Sequence, residues 1–465
     1  LNQLSMNRKI LIPNILLAGV LLIYVLTFFN NLSSLSINVY LTFFINFIVV
    51  VAGILKCELP ISLNKINWYF LLIFLVIIPF YQLTSGYAPR NMFLTEYEIM
   101  FTNVLILIWC IGYYLSYNMK NAEIKVMTGD SLVLPQSKSF YLFLVVISIV
   151  CLAYESATTG FANLFIRGTS DFDDDTFGIL IYFLTRSIPA ISLAIYLWTI
   201  KKKIRIFPKY HMVIISLILF VVTFILNNPV TLSRFLIGAI YMGLLISLFN
   251  ISIFKGKRFD ILLIFSIVII FPLMYALKFY TLEQMFSPEY TLEINNYNSV
   301  DFDAFQMIGR TIRFVETYGY QYGRQLRSVL FFFMPRDILD IKGIPSGQLV
   351  ATIQNVSYTN LSSPIVAEGF IDFGIVGVIL YSFVCGKITK FFDYKTYTLK
   401  KDSNNIYFIE IAFSFLIGYL VYIYRGALQP TFLRLMGFFL FLIVIYAVNK
   451  TIHFKKIKPI KNLIR

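Results

Sequence analysis

Apolar residues in this chain fall into long blocks separated by short polar stretches. The blocks can be set at 10–29, 38–55, 67–84, 98–116, 140–156, 178–199, 211–227, 234–253, 260–278, 363–386, 407–425 and 431–449. Each is about 17 to 24 residues long, enough to cross a hydrocarbon core as a helix. Lipid offers a peptide group no hydrogen bond, so such runs must satisfy their backbone internally as helices. The pattern predicts an all-α, polytopic membrane bundle of about twelve transmembrane helices. Its parts are an N-terminal bundle (1–278), an extracytoplasmic loop (279–362) and a C-terminal bundle with a cytoplasmic tail (363–465). The first block, after Arg8 and Lys9, has the outline of a signal peptide. It is too long for one and no small-residue cleavage site follows, so it is expected to be the first spanning helix.

Composition agrees with this pattern. The 465 residues are 58% hydrophobic and 14% charged, against roughly 25% charged residues in soluble domains. The net charge of +15 is no sign of a nucleic-acid partner once its placement is known. With the N-terminus cytoplasmic, two thirds of the Lys and Arg residues fall in the inner segments, and the short outer loops hold almost none. This is the positive-inside distribution, and an even number of spans leaves both termini in the cytoplasm.

The same sorting exposes an asymmetry that topology does not require. All but four of the inner basic residues are lysine. On the outer side, or in the membrane near it, all but Lys278 and Lys342 are arginine: Arg90, Arg167, Arg186, Arg234, Arg310, Arg313, Arg324, Arg327, Arg336, Arg425 and Arg434. A guanidinium is a planar fork that grips phosphate or carboxylate bidentately and tolerates partial burial. Snorkelling at the interface, or pairing with external carboxylates, is the structural alternative. Arg186 sits roughly 12 Å into its helix by helical rise, Arg234 opens another helix and Arg425 closes a third. Ionisable groups at such depths point to function, and convergence of these three on one outer cavity is the expectation.

The 279–362 connection is long and lacks a linker composition, which marks it as functional. In it Phe305, Ile308, Ile312 and Val315 recur at helical spacing, with Arg310, Arg313 and Glu316 on other faces. That predicts an amphipathic helix on the membrane or on the bundle. The apolar segment Val329 to Met334 is too short to span, and is expected to be interfacial or re-entrant. Beyond the loop, Glu368 and Asp372 stand one turn apart near the outer start of the tenth block, as a general base or as counter-ions to arginine.

Other chemistry finds little support. The two histidines, His211 and His453, fall on the cytoplasmic side, so external chemistry must do without an imidazole. Cys57, Cys110, Cys151 and Cys385 lie in or beside apolar runs and read as buried filler, neither a disulfide framework nor a metal site. Asp171, Asp173, Asp174 and Asp175 read as a solvated loop, with an oxygen-ligated divalent cation as the alternative. No Walker-type glycine loop or GxSxG elbow occurs, and no cofactor is expected.

The segment from Gly323 to Gly386 resembles the Wzy-type O-antigen and capsule polymerases, the oligosaccharide repeat-unit polymerases. The resemblance is carried by Gly323-Arg324, by Phe331-Phe332-Phe333-Met334-Pro335-Arg336, and by Lys342, Gly347, Asn355 and Ser357. It continues from Ser362 to Gly377, with Glu368 followed by the pair Phe373-Gly374. In that family a Pro-Arg element in the periplasmic loop precedes a Glu and a Phe-Gly pair that opens the next helix. The tryptophan and Lys-Pro that often follow Pro-Arg are replaced here by Ile338-Leu339 and Lys342-Gly343.

The resemblance implies a membrane-embedded glycosyltransferase of the GT-C type in the bacterial cytoplasmic membrane. It would join undecaprenyl-pyrophosphate-linked repeat units on the outer face, for lipopolysaccharide O-antigen or capsule, without a metal. Arg336 and Glu368 would be catalytic, and Arg324, Arg327, Arg186, Arg234 and Arg425 would hold pyrophosphate. Tyr318, Tyr320 and Tyr322 would stack on sugars or anchor at the interface. The implied partners are the lipid-linked glycans, membrane lipid and a chain-length regulator. A flippase or exporter of the same lipid, or an O-antigen ligase, is the alternative. The former is disfavoured by the structured loop, the latter by the lack of an outer histidine.

Overall fold

The computed structural model describes residues 35–89, 93–119, 133–166, 176–249, 258–271, 300–334, 343–353, 361–398 and 405–461, with residues 274 and 297. Among these the secondary structure is helical, with one isolated bridge between Val133 and Tyr407 and no strand. Nine of the described helices are long and apolar enough to cross a membrane. They are α1 (Ile37–Leu55), α2 (Leu63–Thr84), α3 (Glu96–Asn118), α4 (Lys138–Gly160), α5 (Thr176–Lys201), α6 (Lys209–Leu226), α12 (Ile365–Thr398), α13 (Phe408–Arg425) and α14 (Leu428–Lys461). Between α6 and α12 lie α7 (Arg234–Leu248), α8 (Arg258–Phe265), α9 (Ala304–Tyr318), α10 (Arg324–Leu330) and α11 (Ser346–Ile353).

Nine of the twelve expected spans thus appear where the apolar blocks place them. The block 234–253 forms the shorter helix α7, and 260–278 begins as α8 and continues helically to Phe271. The block 10–29 lies outside the described residues, as do Arg90, Arg167, the four aspartates of 171–175, Lys278, Arg336, Lys342, Asn355 and Ser357.

Small residues set the closest helix contacts, as expected where lipid supplies no hydrophobic drive between helices. A side chain on Gly418 of α13 would strike the backbone of Ala239 in α7, and one on Gly243 would strike the Phe415 ring. In α12, Gly386 lies against the Tyr113 carbonyl and Ser116 of α3, while Ser116 Oγ donates to the Phe383 carbonyl at 2.5 Å. Within α2 the turns Leu71–Ile77 widen to π-helical geometry just before Pro79. Proline lacks an N–H and clashes with the carbonyl four residues back, and a wider turn accommodates both.

The expected single span 363–386 requires correction. Inside α12 the backbone leaves helical geometry at Phe373 (φ −141°, ψ 19°) and Gly374 (φ 62°, ψ −145°). The Gly374 conformation is open almost only to glycine. Residues 369 and 377 would stand about 12 Å apart along one helix, yet a side chain on Gly377 would collide with the Gly369 carbonyl. Tyr381 Oη likewise reaches back to donate to Asp372 Oδ2 at 2.9 Å. The helix therefore consists of a short arm, 365–372, folded across a long arm that opens after Phe373-Gly374.

α9 is also more deeply held than its pattern suggests. It lies on the bundle, and Arg310, expected on a face away from the apolar stripe, is 1% exposed. The reason is that its Nη2 donates to the Pro89 carbonyl at 2.7 Å, at the end of the α2 connection.

Two outcomes follow from this architecture. Gly377→Ala must drive the two arms of α12 apart, and Gly374→Ala must hold a left-handed backbone. Each is expected to cost about 1–3 kcal/mol, seen as a lower melting temperature of the purified protein. Gly238→Ala, with nothing within 4 Å of the added methyl, should melt like wild type. Separately, Thr317→Cys and Tyr210→Cys, placed at opposite ends of the bundle in a cysteine-free background, should react with an impermeant maleimide from opposite sides of the membrane. Labelling of both from one side would refute the alternation of the helices.

Candidate functional site

The short arm of α12 brings Glu368 and Asp372 to one face about 6 Å apart, as its turn dictates, and both carboxylates are fully buried. Among the described residues neither makes an ion pair with an arginine, although Arg327 lies within electrostatic range of Asp372. Asp372 instead receives two backbone N–H groups at the start of α10, Gln325 N at 3.1 Å and Leu326 N at 3.0 Å. Glu368 Oε1 receives the N–H of Leu428, the first residue of α14, at 2.8 Å, and a hydrogen bond from Ser346 Oγ at the start of α11. Each acid therefore satisfies helix N-terminal donors that have no partner inside their own helix. Glu368 Oε2 is buried and makes no hydrogen bond of ordinary length among the described residues, with the Ser363 hydroxyl, likewise unmatched, beside the carboxylate.

α10 carries Arg324, exposed, and Arg327, half-buried, one turn apart. Its left-handed entry residue Gly323 (φ 78°) packs where a side chain would strike the Phe373 ring. Further ties fix the helix: Gly343 N donates to Ser328 Oγ at 2.8 Å, and Gln325 Nε2 to the Ile344 carbonyl at 2.9 Å. The buried Nε of Arg327 has no hydrogen-bond partner among the described residues. At the end of α10 and just past it, Leu330, Phe331 and Phe333 are exposed, so apolar surface and guanidinium groups occupy one short stretch of chain. The segment 329–334 is a helix end and turns that do not span.

Of Arg186, Arg234 and Arg425, expected to converge, only two come together. Arg234 and Arg425 meet at the turn Asp301–Asp303: Arg234 pairs with the Asp301 carboxylate, and Arg425 donates to Asp303 Oδ1 at 3.0 Å and to the Asp301 carbonyl at 2.9 Å. Ser362 Oγ adds a bond to Asp303 at 2.6 Å, so this pair lies just before the Glu368 arm. Arg186 does not join them. It stacks on Tyr182, pairs with Glu155 at 3.6 Å and donates to the Leu226 carbonyl that ends α6. On α9 itself, Arg313 clasps Glu98 of α3 through Nε at 2.6 Å and Nη2 at 2.7 Å. Those bonds raise the Arg313 pKa above the ordinary guanidinium value.

Sequence reasoning singled out Glu368, Asp372, Arg324, Arg327, Arg234 and Arg425, and the structure gathers them at one end of the bundle. It missed Asp301, Asp303 and Ser346. Asp303 had a readable signal, since an acid just before the apolar period of α9 is an N-cap pattern. Its carboxylate does not cap, because Arg425 and Ser362 occupy it. No protein-family model, curated protein or solved structure matches the chain.

Removal of one partner from a buried ion pair strands the other charge, at a cost of about 3–5 kcal/mol. Asp303→Ala is therefore expected to destabilise the protein strongly, and Arg425→Leu combined with it to recover part of the loss. A double mutant no better than the sum of the single changes would show that the contact carries no coupling energy.

Proposed function

We propose that the chain is a membrane-embedded glycosyltransferase of the GT-C type that polymerises undecaprenyl-pyrophosphate-linked oligosaccharide repeat units on the outer face of the bacterial cytoplasmic membrane. One observation carries the reading most. The short α12 arm that bears Glu368 also holds, through Asp372, the helix that presents Arg324 and Arg327. A buried carboxylate oxygen and a pair of guanidiniums thus belong to one locally rigid unit, next to exposed apolar side chains suited to an isoprenoid tail. The motif resemblance across Gly323 to Gly386 supports the same reading, and Arg336 belongs to the proposal on that ground alone.

In the proposed reaction an acceptor sugar hydroxyl attacks the anomeric carbon of the donor glycan. A new C–O bond forms as the C–O bond to pyrophosphate breaks, and its electron pair leaves with undecaprenyl pyrophosphate. Arg324, Arg327 and Arg336 neutralise the charge that grows on the leaving group. Glu368 Oε2 takes the acceptor proton, while Oε1 keeps its bonds to Leu428 and Ser346. Arg234 and Arg425, already paired with Asp301 and Asp303, shape the end of the bundle beside the site, and Arg186 supports it from a neighbouring group.

The test is elongation of synthetic lipid-pyrophosphate repeat units by the purified full chain. Arg324→Ala with Arg327→Ala, and Arg336→Ala, should each lower turnover by about 100-fold or more, the scale of a lost oxyanion contact. Glu368→Gln keeps an acceptor for Leu428 N–H, so it should abolish most turnover with little change in melting temperature. Full activity in Glu368→Gln would refute the base. Transbilayer movement of the lipid without elongation would refute the polymerase and leave a transporter.

A further inference from the structure

The connection between α9 and α10 holds a feature that pyrophosphate chemistry leaves unused. Tyr318, Tyr320 and Tyr322 are all exposed, and at 76% Tyr322 is the most open of the described large hydrophobic side chains. Its backbone is left-handed (φ 49°), a conformation that bulky residues rarely adopt and that persists only where surrounding structure enforces it. Here the enforcement is visible. Gln321 N–H donates to the Ile371 carbonyl at 2.8 Å, Arg324 N–H to the Gln321 carbonyl at 3.1 Å, and the next residue, Gly323, is packed on Phe373. The Tyr320 ring meets Phe370 edge-on at 6.1 Å and Tyr322 edge-on at 6.4 Å.

The fold thus holds an aromatic ring uncovered by the rest of the protein, on a backbone that bulky residues rarely adopt. A ring with a hydroxyl offers an apolar face and a polar rim. The neighbouring exposed groups are Glu316, Thr317 and Arg324, with Gln321 half-exposed. A pyranose presents the complementary surface, with C–H faces for stacking and hydroxyls for such donors and acceptors. An anionic lipid surface, which Arg324 would attract and Glu316 repel, is the competing occupant that the experiment separates.

We propose that the Tyr320–Tyr322 turn is a saccharide-binding subsite whose rings stack on the glycan of the lipid-linked substrate. The assignment rests on the polymerase reading for the identity of the glycan, and deepens it.

The probe is the oligosaccharide released by mild acid from the host's own lipid-linked pool, which carries neither lipid nor phosphate. Its binding to the full-length protein in detergent is followed by calorimetry. Tyr322→Ala and Tyr322→Gly should weaken binding at least tenfold, and Tyr322→Phe should retain it. Tyr322→Gly is also the control for folding, since glycine relieves the left-handed strain and should melt at or above the wild-type temperature. Wild type that fails to bind the oligosaccharide, or binding untouched by Tyr322→Gly and Tyr320→Ala, overturns the subsite even if elongation proceeds. Substitutions that leave sugar binding intact but reduce association with phosphatidylglycerol vesicles also overturn it, as the mark of an interfacial anchor. Oligosaccharide binding lost in the variants of a protein that never elongates would uphold the subsite and reject the polymerase.

Discussion

The first N–H groups of a helix have no partner within it, and inside a bundle shielded from water each must find an acceptor elsewhere. Three times the acceptor here is a buried carboxylate of α12. Asp393 takes the N–H groups of Leu63 and Asn64 at 2.8 and 3.2 Å, where α2 begins. Asp372 takes those at the start of α10, and Glu368 that at the start of α14. A hydrogen bond to a charged group contributes about 1.5–3 kcal/mol, and the helix dipole adds to the attraction. α12 therefore fastens elements at both ends of the bundle by the same means. Two more acids act on their own helices: Glu98 caps α3 and also holds Arg313, and Glu410 caps α13 and also holds Lys202.

The basic residues complete the pairing from the other side, because the last carbonyls of a helix are as unsatisfied as its first N–H groups. Arg186 reaches the Leu226 carbonyl that ends α6, while Arg310 takes the Pro89 carbonyl in the connection after α2 and Arg234 that of Phe271 at 3.4 Å. At the lysine-rich end Lys201 reaches the Ile246 and Phe249 carbonyls, both at 3.0 Å. Much of the arginine bias thus has a structural cause: a fork can hold a carbonyl and a carboxylate together, as Arg425 does with the turn at 301–303. This narrows what ligand chemistry can use. Arg324 and Arg327 stand out because α10 is fixed through its backbone, which leaves its guanidinium groups out of the framework.

The spans were legible because a membrane demands long apolar runs, and nine of them lie where those runs fall. The reversal at Phe373-Gly374 was not, since the apolar block passes through it without a break and glycine is tolerated inside membrane helices. The proximity of Glu368 to Asp372 followed from their spacing, but their partners did not. Beside the hydroxyls of Ser346 and Tyr381, three of those partners are backbone N–H groups some 46 to 60 residues away, and a main-chain donor leaves no signature in residue type. Arg310 was misjudged for a related reason, since its partner is a carbonyl.

Placement of the site therefore depends on backbone more than on side chains. The short arm of α12 is set by the contact of Gly369 with Gly377 and by the left-handed turn at Gly374, and α10 is set by the arm. In the proposed reaction Glu368 would combine two roles that usually conflict, because a carboxylate used as a cap is not free to move. Its two oxygens resolve the conflict. Oε1 is committed to the framework, which holds the group still, and that immobility is what a proton acceptor needs at Oε2. Oε2, beside the Ser363 hydroxyl, is the less engaged of the two oxygens, which is why the proposed chemistry is placed there rather than at Asp372, where Oδ1 and Oδ2 are both engaged.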